Sequence, residues 1–168
     1  SDTQGTIYSK EGLDVNHLIG TKLSKGAVRY CKEGTCMEVD DLFSIECDIL
    51  IPAAIPDVIH EKNADAIKAK LILQGANIPA TRAAEEILMR RGILSVPDFI
   101  ANAGGVIMAA MEYAKKTEKE AFDAISSKIK KNTKLILEKA TKEKILPRIA
   151  AEGLAKEKVL KAMRSREY

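Results

Sequence analysis

The chain has no tryptophan, and its aromatic residues come to only 4% of the whole. Few aromatics interleave with its basic residues, and a net charge of +3 is slight, so a nucleic-acid partner is not expected. No stretch approaches the roughly 20 apolar residues needed to span a bilayer, and a membrane partner is not expected either. No secretory signal peptide opens the sequence. The three cysteines, Cys31, Cys36 and Cys47, are odd in number and none forms a CxxC pair. The two histidines, His17 and His60, are distant from them in sequence, so no metal site is expected, and reduced thiols in a cytoplasmic protein are the default. No GxGxxG motif occurs anywhere.

What the sequence does have is 46% apolar residues in 168, enough for one core, and a 30% charged fraction that suits a solvated surface. One pattern recurs three times. Cys47 to Ala54 (CDILIPAA), Lys70 to Asn77 (KLILQGAN) and Ile93 to Gly105 each run from apolar residues through a small-residue turn toward a helix. Strand–turn–helix at this spacing predicts an α/β fold: a Rossmann-like, three-layer α/β/α parallel sheet, incomplete, with C-terminal helices. Ligands of such sheets bind outside the carboxyl ends of the strands. Pro52, Ala53, Ala54, Gly75, Asn77, Asn102 and Gly104 all fall at those ends.

The organising stretch is Pro97 to Tyr113, PDFIANAGGVIMAAMEY. It reads as one helix that Asp98 can cap, with Asn102, Gly104 and Gly105 near its first turn. Two glycines in a helix cost about 1 kcal/mol each, so something must approach the backbone there: a ligand or a closely packed sheet. Around it, Asp14 caps a helix to Lys25 with Val15, Leu18, Ile19 and Leu23 on one face, and Gly26 stops it. Ala27–Tyr30 and Met37–Val39 suggest short strands, and Asp40–Ser44 one helical turn. Cys47–Ile51 reads as a central strand buried on both faces. Thr81 caps a helix to Arg91, whose charges, Glu85 and Glu86 first and Arg90 and Arg91 last, complement its dipole. From Thr117 a lysine-rich helical tail follows, broken by a polar turn at Asn132–Thr133, with a final helix over Leu154–Met163.

The three blocks IECDILIPAA, QGANIPAT and GILSVPDFIANAGGV, in that order and spacing, resemble the nucleotide-binding domain of the glutamate dehydrogenase family, which includes leucine, phenylalanine and valine dehydrogenases. The resemblance is clear from Ser1 to Tyr113 and looser to Tyr168. It implies a single truncated NAD(P)-binding domain over 1–168, with a core over 1–114 and a helical tail over 115–168, corresponding to the C-terminal part of the family's cofactor domain. Asp2 then accepts hydrogen bonds from the adenosine ribose and favours NAD over NADP, unless it is only a turn residue. Pro52, Ala53 and Ala54 lie along the adenosine side. Asn77 contacts the nicotinamide-side ribose, or is a loop asparagine bonding its own backbone. Asn102 holds the nicotinamide carboxamide, and Gly104 and Gly105 let the helix start come close.

Glutamate-specific members often carry a serine where this sequence has Ala109. That leaves either glutamate, held by groups outside this chain, or an apolar amino acid as the substrate. The implied reaction converts an L-amino acid to a 2-oxo acid and ammonia. Its catalytic lysine and carboxylate belong to a substrate domain that these residues do not include, so no catalytic residue is assigned and the chain alone is expected to be inactive. The parent is expected to be a homo-oligomer, with an apolar interface left exposed on this chain. The reading from another class is a non-catalytic binding or assembly module derived from a dehydrogenase.

Overall fold

The computed structural model describes residues 1–164. The chain forms two compact units, residues 1–46 with 66–68, and residues 47–65 with 69 onward. Each is built differently.

In the first unit, strand β1 (Thr6–Tyr8) pairs antiparallel with β2 (Thr35–Met37), Ile7 opposite Cys36. The strand expected at Ala27–Tyr30 is instead a 3-10 turn over Val28–Tyr30, and the second strand begins two residues early. Gly34 allows this pairing. Its φ is 130° and an added Cβ would lie 2.6 Å from the Tyr8 carbonyl oxygen. Helix α1 (Val15–Lys25) starts as expected, with the Asp14 carboxylate accepting from the Asn16 and His17 N–H groups, and ends at Gly26, φ 84°. Its apolar stripe, however, is not covered. Val15, Ile19 and Leu23 are exposed, and the small core is Ile7, Val28 and Cys31 with Leu13 and Leu18 against it.

The second unit holds a three-stranded parallel sheet in sequence order: β3 (Ile49–Leu50), β4 (Leu71–Leu73) and β5 (Leu94–Val96). The strand expected to be central and doubly buried, β3, is short and lies at the edge, with Ile49 and Ile51 exposed. The middle strand is β4, where Ile72 is fully buried. Helix α2 (Arg82–Arg90) joins β4 to β5 and is capped by the Thr81 hydroxyl, which accepts from the Ala84 N–H. After β5 the expected single helix is two: α3 (Asp98–Ala101) and α4 (Gly104–Tyr113), separated at Asn102–Ala103.

Helix α5 (Glu118–Glu143) is continuous for 26 residues, with no break at Asn132–Thr133. Asn132 sits in helix, and its side chain accepts from Lys158 Nζ. Thr117 and Glu120 form a reciprocal capping box at its start. Lys128, Lys130, Lys131 and Lys134 lie on its exposed face, as their charge requires. Helix α6 (Pro147–Arg164) begins at Pro147, seven residues before the expected Leu154, because proline suits the first helical turn. The core of this unit is Val96 and Ile100 packed with Ile136, Ala140, Ala150 and Ala151 of the two tail helices. The architecture is therefore a parallel α/β sheet with C-terminal helices.

Candidate nucleotide site

Three turns leave the carboxyl ends of β3, β4 and β5 and lean on one another. The Pro52 carbonyl accepts from the Gly75 N–H at 3.0 Å and the Ala76 N–H at 2.9 Å. A Cβ on Gly75 would meet that of Ala53 at 3.0 Å, so glycine lets the two turns touch. Pro52 is buried by this contact, whereas Ala53 and Ala54 are exposed with only methyl side chains. Asn102, which ends α3 after β5, meets the second of these turns. Its Nδ2 donates to Asn77 Oδ1 at 2.9 Å and lies 3.3 Å from the Gly75 carbonyl and 3.4 Å from that of Ala76. Asn77 and Asn102, 25 residues apart in sequence, are thus joined at the rim of the sheet. Among the described residues no donor to Asn102 Oδ1 is seen, so the amide is held through Nδ2 with its acceptor available.

Gly104 opens α4, and its Cβ position stands 3.6 Å from Ile125 Cγ2, an ordinary contact, while the space beside Gly105 is open. Close helix–sheet packing is therefore not what requires these glycines. Ala109 and Ala110 are exposed on the same helix, Met111 is half-buried, and α4 buries no residue completely. Glu112 is exposed.

Asp98 does not cap the helix. Pro97 occupies the cap position, and the Asp98 carboxylate turns inward, accepting from the Ile78 N–H at 2.9 Å through Oδ2 and from Arg148 Nη1 at 3.0 Å through Oδ1. It belongs to a buried polar cluster beneath the rim. Gln74, fully buried, donates from Nε2 to Glu85 Oε1 and Ser95 Oγ, and its Oε1 accepts from the Asp98 N–H and from Arg148 Nη2. Glu85, expected to serve the helix dipole, is 4% exposed and accepts from Arg148 Nε at 2.8 and 3.0 Å. The Arg148 guanidinium also lies 5.8 Å from the Phe99 ring centroid. Burial disfavours the Arg148 charge, but the Glu85 and Asp98 carboxylates outweigh it and hold the proton more firmly than usual. Strand alternation marks Gln74 as inward, two residues after Ile72. Arg148 carries no local signal, since Glu85 lies 63 residues before it.

In the first unit, the Asp2 carboxylate accepts from the Gln4 N–H at 3.0 Å and the Val28 N–H at 2.9 Å, and Lys22 Nζ stands 3.2 Å away. Burial pushes that carboxyl up, but the Val28 and Gln4 N–H groups and the Lys22 ammonium hold it below the usual carboxylate range. The fold also brings together His17, Cys31 and Glu33, which the sequence separates. Cys31 packs in the core with Ile7 and Val28, and His17 Nδ1 pairs with Glu33 at 2.8 Å, contacts that account for all three side chains.

The family model described as Glutamate/Leucine/Phenylalanine/Valine dehydrogenase matches residues 1–167. The chain belongs to this dehydrogenase family. It is 42% identical to a glutamate dehydrogenase of Aeropyrum pernix over 100% of this chain and 43% of the relative. It is 36% identical to an NAD-specific glutamate dehydrogenase of Staphylococcus aureus, covering 100% of this chain and 42% of the relative. The chain thus spans less than half the length of these relatives. Among solved structures, glutamate dehydrogenase from Peptoniphilus asaccharolyticus aligns with TM-score 0.72 at 26% identity, over 95% of this chain and 36% of that one. The hetero-hexameric glutamate dehydrogenase of Thermus thermophilus aligns with TM-score 0.83 over 98% of this chain and 40% of that one, at 22% identity, a likeness of fold. The Rossmann-like α/β fold is shared with the matched part of these dehydrogenases.

Proposed function

We propose that this chain is the C-terminal part of the nucleotide-binding domain of an L-glutamate dehydrogenase, and that the turns at the carboxyl ends of β3, β4 and β5 hold a nicotinamide dinucleotide. The observation that carries the reading is the Asn77–Asn102 pair: two amides bonded to each other at 2.9 Å at the end of a parallel sheet. The fixed Asn102 amide, with Oδ1 open, fits a carboxamide donor. Asn77 stands beside it to meet the nicotinamide-side ribose. Pro52, Ala53 and Ala54 offer backbone and small side chains to the adenosine side, where a larger residue would occupy the ligand's space. Gly104 starts α4 with N–H groups that lack partners within the helix.

When bound, the cofactor supplies the hydride acceptor for oxidation of an amino acid to an imino acid, which water converts to a 2-oxo acid and ammonia. The residues of this chain bind and orient; the proton-transfer groups belong to the part of the protein that these residues do not include, and the chain by itself is inactive. The Asp2 carboxylate is nine-tenths buried and already accepts from the Gln4 and Val28 N–H groups, so it favours NAD through its charge and not as an open acceptor. Lys22, 3.2 Å from that carboxylate, softens the discrimination, because its ammonium can also meet a 2′-phosphate, and NADP remains usable. Relatives carry both names, NAD-specific in Staphylococcus aureus and NADP-specific in Saccharolobus shibatae.

The parent is read as a homo-oligomer. Three free cysteines suit a cytoplasmic location. A second reading, an apolar amino acid as substrate, is favoured by Ala109, which is exposed and has no donor for a side-chain carboxylate. Calorimetric titration with NAD and NADP tests the proposal. Asn102→Ala is expected to weaken NAD binding at least tenfold with the fold retained. No binding to the unsubstituted protein at millimolar nucleotide would count against the reading.

A further inference from the structure

Arg148 reaches both ends of the turn that carries Asn77. The turn begins at Gln74, whose Oε1 accepts from Arg148 Nη2 at 2.9 Å. It ends at Ile78, whose N–H is held by Asp98 Oδ2, while Asp98 Oδ1 accepts from Arg148 Nη1 at 3.0 Å. Ile78 has a φ of 49°, left-handed backbone that a β-branched residue rarely adopts. That conformation persists only when its surroundings over-determine it. Two bonds do so: the Asp98 carboxylate on the N–H, and the Asp57 N–H on the Ile78 carbonyl at 2.9 Å. Asn77, the preceding residue, takes its direction from this backbone and meets Asn102.

We infer that Arg148, on the tail helix α6, is a positioning residue that sets the geometry of the Gln74–Ile78 turn and so the orientation of the Asn77–Asn102 pair toward its ligand. The inference rests on the nucleotide reading for what the pair binds, but not for how the pair is held. Arginine is required because Nε, Nη1 and Nη2 serve Glu85, Asp98 and Gln74 at once in a planar fork. A lysine keeps the charge but cannot reach three acceptors in that plane.

The test compares Arg148→Lys with Ala150→Gly, a substitution in the same helix that removes a fully buried methyl from the core without touching the cluster. Three readouts are taken: thermal unfolding, hydrogen exchange of the Ile78 amide relative to core amides of β4, and the side-chain amide resonances of Asn77 and Asn102. Arg148→Lys is expected to speed Ile78 exchange at least tenfold relative to Ile72 and to move both side-chain amide signals. Ala150→Gly should leave that ratio and those signals in place even where its melting temperature falls as far. Affinity for NAD should drop at least tenfold in Arg148→Lys only. If Arg148→Lys proves too unstable, Glu85→Gln, which loosens the guanidinium at Nε without touching Asp98 or Ile78, takes its place with the same expectations. Equal exchange ratios in the two variants would overturn the inference and leave Arg148 a plain stability residue. If the unsubstituted protein binds no NAD, the nucleotide reading fails, while the exchange and resonance data still decide the positioning role.

Discussion

Two polar clusters sit at the same end of the parallel sheet and are built on opposite terms. The cluster of Gln74, Glu85, Ser95 and Asp98, all buried, with the half-buried Arg148, is charged and bonded among its own members. The rim of Ala53, Ala54, Asn77 and Asn102 is uncharged and reaches solvent, with an acceptor left open. A buried ion pair adds little net stability, since desolvating both charges offsets most of their attraction. What the inner cluster provides is a fixed direction for the chain above it, through Asp98 and the strained Ile78. The difference is one of charge and exposure: charged groups bond to one another below, and neutral amides reach solvent above.

The comparison can be broken most severely from below. Arg148→Met leaves Glu85 and Asp98 as buried carboxylates without their cation and is expected to cost about 3–5 kcal/mol, read by urea unfolding. Loss below 1 kcal/mol would mean that the cluster is not effectively buried. A smaller effect is expected at the junction of the two layers. Gly75→Val drives a branched side chain into Ala53, whose Cβ would be 3.0 Å from the new one, and should cost about 2 kcal/mol and spread the β3 and β4 turns. Unchanged stability would show that those turns yield freely.

The smallest effect is expected at the α5 cap, away from both clusters. Thr117→Ala removes the side-chain cap and should cost about 1 kcal/mol. The Thr117 backbone N–H and hydroxyl and the Lys116 ammonium hold the Glu120 carboxyl down to about 2, from an ordinary 4.5. A carboxyl depressed in the folded state stabilises above its unfolded pKa and loses that contribution as pH falls through the folded value. The cap's share of stability is therefore expected to fade between about pH 5 and pH 2, and stability against pH in Thr117→Ala should be flatter over that range than in the unsubstituted chain.

Much of the second unit was legible from local sequence. The three strand–turn–helix repeats located β3, β4, β5 and their turns, because small residues after an apolar run have few other places to go. Thr81 here, and Asp14 and Gly26 in the first unit, mark boundaries by chemistry that acts over three or four residues. What could not be read was set by distance. Asp98 resembles a helix cap in sequence, yet an arginine 50 positions later turns it inward. Glu85 looks like a dipole charge until the same arginine is beside it. The continuity of α5 through Asn132–Thr133 follows from packing of Ile136 and Ala140 against α6, which outweighs weak helix propensity. The stripe on α1 was legible, but whether anything covers it was not.

The central claim is that the Asn77–Asn102 rim holds the nicotinamide dinucleotide. The most direct test is an NMR titration of the isotope-labelled protein with NAD, and separately with NADP, following the side-chain amides of Asn77 and Asn102 and the backbone amide of Gly104. The account predicts saturable shifts of all three with NAD, larger than at amides of the α5–α6 turn, and weaker binding of NADP. Saturable shifts elsewhere with these three unmoved, or no shifts at millimolar nucleotide, would contradict it.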